Sequence, residues 1–233
     1  MHAEILLRGF FKKIWRRHSL ICLGIFVAGS LVSSCSTVNA MAQAATSSLK
    51  DDWHQTSDKN NLARVESSVR WQCMNEAWKF ANKLHSPESR AEAFRLIALC
   101  EKNSQGKIEP KEEALSKLKA AIDELKDPMK ALFYELSLVE ATYVLNPDKA
   151  REMLKTCEEK IWKIASAQER APFLIQIASF ELKTTKDLDA GKKAIAVAKE
   201  TIQMIADASH RKSQEYELAC LIESHSNALC AEK

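Results

Sequence analysis

The sequence predicts an all-α protein built from stacked helix pairs, and three observations carry that prediction. No segment alternates apolar and polar residues as a half-buried strand does, whereas Ala, Leu, Lys and Glu fill the stretches between turns. Four of the five prolines follow a polar or capping residue and precede a helical pattern: Ser86-Pro87, Glu109-Pro110, Asp127-Pro128 and Asn146-Pro147. Proline is at ease there because an N–H in the first helical turn has no intrahelical partner to lose. Residues also recur at a period near 40, the mark of a stacked helical array.

The 233 residues divide into an address, a tether and a domain. Arg8, Lys12, Lys13, Arg16 and Arg17 give a basic start opposed only by Glu4, and an apolar run follows from Leu20 to Val32. Such a run is shorter than the roughly 20 apolar residues a membrane-crossing helix needs, and the order basic, apolar, small is that of an export signal. It ends in Val32-Ser33-Ser34-Cys35. This resembles a bacterial lipobox, in which an aliphatic and two small residues precede the cysteine that becomes N-terminal and lipid-modified; Val32 stands where Leu is commoner. The resemblance implies a signal over 1–34, lipidation at Cys35 and, with Ser36 rather than Asp after it, sorting to an outer membrane facing the periplasm. Two other readings stay open: cleavage after Val38-Asn39-Ala40 or Ala42-Gln43-Ala44 to release a soluble periplasmic protein, or an uncleaved anchor. Arg16-Arg17 is followed by His18-Ser19, a poor twin-arginine signal.

The overall charge is +3, but residues 1–34 carry five Lys/Arg and one Glu, so their removal leaves −1. A near-neutral chain has no basic excess for nucleic acid. Residues 35–60, rich in small and polar types, predict a flexible tether, with Trp53 alone in it.

Residues 61–233 predict a domain of eight helices: about 62–84, 88–103, 111–125, 129–145, 148–164, 168–183, 188–206 and 210–229. Pro172 implies that the sixth starts near Gln168 or Arg170. Arg90-Ala91, Lys130-Ala131, Arg170-Ala171 and Arg211-Lys212 recur at intervals of 40, 40 and 41, each five or six residues after Leu84, Leu125, Ile164 or Ile205. Ile97-Ala98 is echoed by Ile177-Ala178 and Leu218-Ala219, with Ser137-Leu138 in the second unit. The partner helices share Ala114, Ala150 and Ala190, with Leu118, Leu154 and Ala194 four residues on and Ala121, Cys157 and Val197 seven residues on.

These positions resemble the tetratricopeptide repeat, which places a large and a small residue on its first helix, then Ala, a bulky and a small residue on its second. The resemblance covers about 88–206. The period of 40 rather than 34, Leu138 at a small-residue place and an unphased terminal proline depart from the family. The resemblance implies a right-handed α-α superhelix of about three 40-residue helix pairs with flanking capping helices, and a concave groove that binds proteins or peptides. Its lining would include Arg95, Leu132, Glu135, Val139, Tyr143, Ile175 and Leu182. Helices 129–145 and 172–182 are apolar nearly all round, so they must be covered on both sides or offer a patch. Either helix 210–229 fills the groove, or an apolar peptide or partner helix does. Arg95, followed by Glu135 and Ile175 at the equivalent places, lacks the Lys-Asn-Arg set with which some tetratricopeptide domains clamp C-terminal carboxylates.

Chemistry is harder to find. Of five glycines, only Gly106 and Gly191 lie beyond residue 30, which excludes Gly-rich phosphate loops and dinucleotide fingerprints. The six His lack metal-ligand spacing, and no H-E-x-x-H, C-x-x-C or G-x-S-x-G occurs. No cofactor, metal or small-molecule substrate is implied. Of seven Cys, Cys22 leaves with the signal; Cys73 and Cys100, at similar distances from the turn at His85-Ser86, make a plausible disulfide, and Cys157 fills a small-residue core place. The sequence therefore predicts an envelope lipoprotein that scaffolds other proteins. The alternatives are a soluble structural repeat protein or spacer, and an all-α enzyme using the groove.

Overall fold

A computed structural model describes residues 35–100 and 110–225, with 35–52 described by backbone alone. Nine α-helices and no strand occur among the described residues: α1 (Cys35–Arg70), α2 (Met74–Ala81), α3 (Pro87–Cys100), α4 (Glu112–Asp123), α5 (Pro128–Leu145), α6 (Pro147–Trp162), α7 (Ala167–Phe180), α8 (Leu188–Gln203) and α9 (Ala208–Ser224). The chain forms two compact units, Met1–Trp53 and His54–Lys233. In the first, the described backbone is helical from Cys35 onward. The second holds the helix pairs and both core clusters.

Residues 35–60 are helical where the sequence predicts a flexible tether. The physical reason is compositional, because no Gly or Pro occurs between Ser30 and Pro87 to interrupt a helix. The expected helix 62–84 is instead broken at Trp71-Gln72-Cys73, where Gln72 adopts φ 57°. That left-handed residue turns the chain from α1 into the short α2.

The helices pack as neighbouring pairs, α3 with α4, α5 with α6 and α7 with α8. Each pair begins with the same device, repeated once more before α9. Ser86, Asp127, Ser166 and Asp207 accept a bond from a backbone N–H two or three residues on, at 3.1, 2.9, 3.4 and 2.8 Å. The helix before each cap closes in a tight turn, with Leu84, Leu125, Ile164 and Ile205 donating to the carbonyl three residues back. The recurring arginines then span the joint: Arg170 donates to the Ile164 carbonyl at 3.1 Å and Arg211 to that of Ile205 at 3.4 Å. They supply donors to the unsatisfied end of the helix before them.

The repeat extends one step further back than the period in the sequence suggests. Ala77 and Ala81 lie seven and three residues before Leu84, as Leu118 and Ile122 do before Leu125, Cys157 and Ile161 before Ile164, and Ala198 and Ile202 before Ile205. All eight are buried. Thus α2 is a shortened copy of the second helix of a pair.

The core consists of two clusters that meet at α5. Tyr134, Leu138 and Ala141 pack with α1–α4, while Leu132, Leu136 and Val139 pack with α6–α9. That is why α5 is apolar all round: it is covered on both sides. Pro172 lies in the sixth position of α7, so the helix starts five residues before it, close to the expected place. Beyond Phe180 the helix widens into a π turn, Glu181–Thr185, which ends at Lys186 with φ 60°. There the close approach of α8 requires a glycine, because a Cβ on Gly191 would collide with Leu182 Cδ2.

α9 occupies the place of a first helix in a further pair. Lys212, Glu215 and Ala219 are exposed, although the corresponding Ala171, Leu174 and Ala178 of α7 are buried. The charged replacements suit a helix whose outer face meets water, as an array's capping element must.

Candidate functional site

A groove of about 850 Å³ runs along the first helices of the pairs. Its walls are Met129, Phe133 and Tyr134 from α5, Pro172, Phe173 and Gln176 from α7, and Leu221 with Cys220 from α9. Phe133 is 41 % exposed, a large apolar side chain left open to solvent. Its neighbour Tyr134 is buried at the floor and meets the Phe133 ring edge-on at 5.2 Å. Burial, with the charges of Glu92 and Glu88 behind it, pushes the Tyr134 phenol up to about 12. It therefore remains a protonated donor at any physiological pH.

Charges rim the groove. Lys130 Nζ reaches both oxygens of Glu88 at 2.7 and 2.8 Å, so these two neutralise each other. Glu169, Lys183 and Glu217 line the groove as well, and among the described residues none of the three enters an ion pair. α9 forms one wall and does not fill the groove.

The predicted lining residues are mostly elsewhere. Leu132, Val139 and Leu182 are core side chains, only 3, 1 and 4 % exposed. Ile175 touches the groove but is itself 4 % exposed. Tyr143 packs edge-on against Phe180 at 5.5 Å. Arg95 is held by Glu92 on its own helix through bonds of 2.6 and 2.8 Å. Glu135 binds Lys160 at 2.6 Å and lines a separate cleft between α4 and α6. The displacement has a simple cause. A helix apolar all round carries no polar face to fix its rotation, and one residue corresponds to about 100°. The signal in the sequence that marks the site is Phe133 and Phe173, the aromatic residues three places after Lys130 and Arg170.

The cysteines are also rearranged. Cys73 and Cys100 are thiols, not a disulfide. The break at Gln72 leaves Cys73 exposed at the start of α2, its Sγ donating to the Trp71 carbonyl at 3.6 Å. Cys157 is buried as expected. Burial, reinforced by the charge of Glu135, pushes its thiol up to about 12. Val32, Ser33 and Ser34 lie outside the described residues, as does the side chain of Cys35. No group of three His, Cys, Asp or Glu among the described residues is placed to hold a metal ion. No helix among them is long and apolar enough to cross a membrane.

A second polar feature binds α1 to the domain. Asp58, 3 % exposed, accepts bonds from the His85 N–H at 2.9 Å, the Ser86 N–H at 2.7 Å and His85 Nδ1 at 3.0 Å. The His54 ring packs against His85 with centroids 4.1 Å apart. Burial pushes the Asp58 carboxyl up, but the Ser86 and His85 bonds outweigh it and hold it below its ordinary value. This clamp is structural, joining α1 to the loop before α3.

No protein-family model, no curated protein and no solved structure matches the chain. What the fold defines by itself is an all-helical, repeat-like domain of neighbouring helix pairs.

Proposed function

We propose that this protein is a lipoprotein of the cell envelope, anchored through Cys35, whose tetratricopeptide-like domain scaffolds other proteins. The groove on its first helices is the binding surface. The observation that carries the reading is the groove's open apolar edge: Phe133 and Pro172 are exposed above a floor of buried Phe173 and Leu221, and charge rims the strip. Side chains of this kind anchor protein partners, because burying a phenylalanine contributes about 1.5–3 kcal/mol. The finer architecture, a right-handed superhelix with this groove on its concave side, rests on the caps and joints repeating at Ser86, Asp127, Ser166 and Asp207. The lipid anchor rests on the lipobox alone. The role proposed for the groove is one of binding.

Two experiments test the reading. Cross-linking in detergent-solubilised envelopes should recover a defined partner with the natural chain and lose it with Phe133→Asp; equal recovery by both refutes the groove. Metabolic palmitate labelling should disappear in Cys35→Ala, and unchanged labelling refutes the anchor.

A further inference from the structure

We infer that the groove receives an amphipathic α-helix of a partner protein, laid antiparallel to α7, with an acidic first turn and a basic second half. The inference rests on the proposed binding role of the groove and states what the partner must look like.

One stripe of α7 sets the length of the site. Glu169, Pro172, Phe173, Gln176, Ser179 and Lys183 all line the groove. Their spacing of three, one, three, three and four residues places them on a single stripe of α7 and the π turn that continues it. Fourteen residues separate its ends, about 21 Å at the α-helical rise. A partner helix of about 14–16 residues would lie along it.

A helix suits these walls better than an extended strand. The walls are helices, whose backbone N–H and C=O groups are already paired within themselves. An extended peptide would have to satisfy its own backbone groups from scattered side chains such as Tyr134, Gln176, Ser179 and Ser224, with no open backbone ladder on the walls to pair with. A helix arrives with its backbone satisfied and presents only side chains, spaced i, i+3, i+4 and i+7, to exposed Phe133 and Pro172 above the Phe173 and Leu221 floor.

Charge sets the direction. With Glu88 and Lys130 bonded to each other, the remaining groove charges are Glu169 at the start of the stripe, Lys183 at its end, and Glu217 of α9, which corresponds to Gln176 in the 41-residue repeat register. A partner carrying Glu or Asp over Lys183 and Lys or Arg over Glu217 and Glu169 meets each with its opposite. The antiparallel direction also places its N-terminus beside the C-terminal end of α7, so opposite ends of the two helix dipoles adjoin.

The test selects a displayed library of random 16-residue peptides on the full chain, with counter-selection on Phe133→Asp. Phe133 is 41 % exposed, so the variant should fold, which circular dichroism checks. The expected winners have helix-spaced apolar residues, an acidic first turn and a basic second half. As synthetic peptides they should gain helical signal on binding and bind about five-fold more weakly when their charges are inverted. The double variant Glu169→Lys/Lys183→Glu should reverse that preference. Winners that bind as extended or proline-broken peptides, or that show no charge direction, overturn the helix while leaving the groove as a binding site. The absence of any Phe133-dependent winner overturns both.

Discussion

Replacing Gly191 by alanine should destabilise this protein, although the same change in an ordinary helix stabilises. Gly191 is buried in the first turns of α8, and its N–H donates to the Asp187 carbonyl at 2.9 Å. Its backbone is helical and asks for no glycine; the demand comes from across the interface. An added Cβ would collide with Leu182 Cδ2 and stand 2.9 Å from Leu182 Cγ. Leu182 is 4 % exposed, so its side chain can give way only by pressing on its core neighbours. Alanine gains about 1 kcal/mol of helix propensity. Forcing a methyl into a packed interface costs typically about 1–3 kcal/mol. The expected net loss is up to about 2 kcal/mol. Leu182→Ala alone should cost about 2–5 kcal/mol, yet it opens the space that the methyl needs. In that background Gly191→Ala should therefore stabilise by up to about 1 kcal/mol. The two positions are then coupled by roughly 1–3 kcal/mol, the cost of the clash itself. Urea unfolding of the four proteins, followed by circular dichroism and compared at constant slope, measures the cycle. A higher midpoint for Gly191→Ala in the natural background, or simple additivity of the two changes, refutes the clash as the cause.

The same geometry sets three further outcomes. Ala178 is 0 % exposed between helices, so Ala178→Leu should cost about 1–3 kcal/mol, while the equivalent Ala219→Leu on exposed α9 should change the urea midpoint little. Asp58→Ala strands the His85 and Ser86 amides and should cost about 1–3 kcal/mol, seen as faster amide exchange in residues 54–70. Because Asp58 sits below its ordinary value, its contribution is complete above the unfolded value of about 3.9 and fades as pH falls through the lower folded one. The natural chain should thus lose stability more steeply than Asp58→Asn below about pH 4, and parallel acid curves would rule out the clamp. Cys157, buried and raised to about 12, should resist iodoacetamide at pH 8 until the protein unfolds, whereas exposed Cys73 and Cys220 react in the native state. Mass spectrometry of the labelled chain separates the three.

Where the chain marks its own turns chemically, the sequence is easy to read. Asp127-Pro128 and Asn146-Pro147 cap and start α5 and α6 as the residue types demand. The recurring Arg170 and Arg211 are visible as a period in the sequence, and their bonds to the Ile164 and Ile205 carbonyls give that period a purpose. What is illegible lacks such marks. Gln72 and Lys186 take left-handed backbone angles without being Gly or Asn. The π turn at Glu181–Thr185 is an accommodation to α8 and depends on Gly191, ten residues after its start. The rotation of α5 is decided by two core clusters at once, so no periodicity in its own residues separates Phe133, open to solvent, from Leu132, buried beside it. Residues 35–60 have the small and polar composition of a tether, but the Gly and Pro that would break a helix are missing from them, and the helix forms.

The arginine bridges at the joints carry a consequence for how this chain can change length. Arg170 and Arg211 each reach back six residues to a carbonyl, and the caps Ser166 and Asp207 stand inside that span. A single residue inserted between Ile164 and Arg170 would turn the guanidinium away from its acceptor and misphase the cap against α7. Among the described residues, the connections within the second and third pairs carry no such arginine bridge, and in the sequence the first-pair connection is longer than either. The joints at 164–170 and 205–211 therefore hold each pair to a fixed length of chain, and an insertion there should disrupt the stack rather than lengthen a loop.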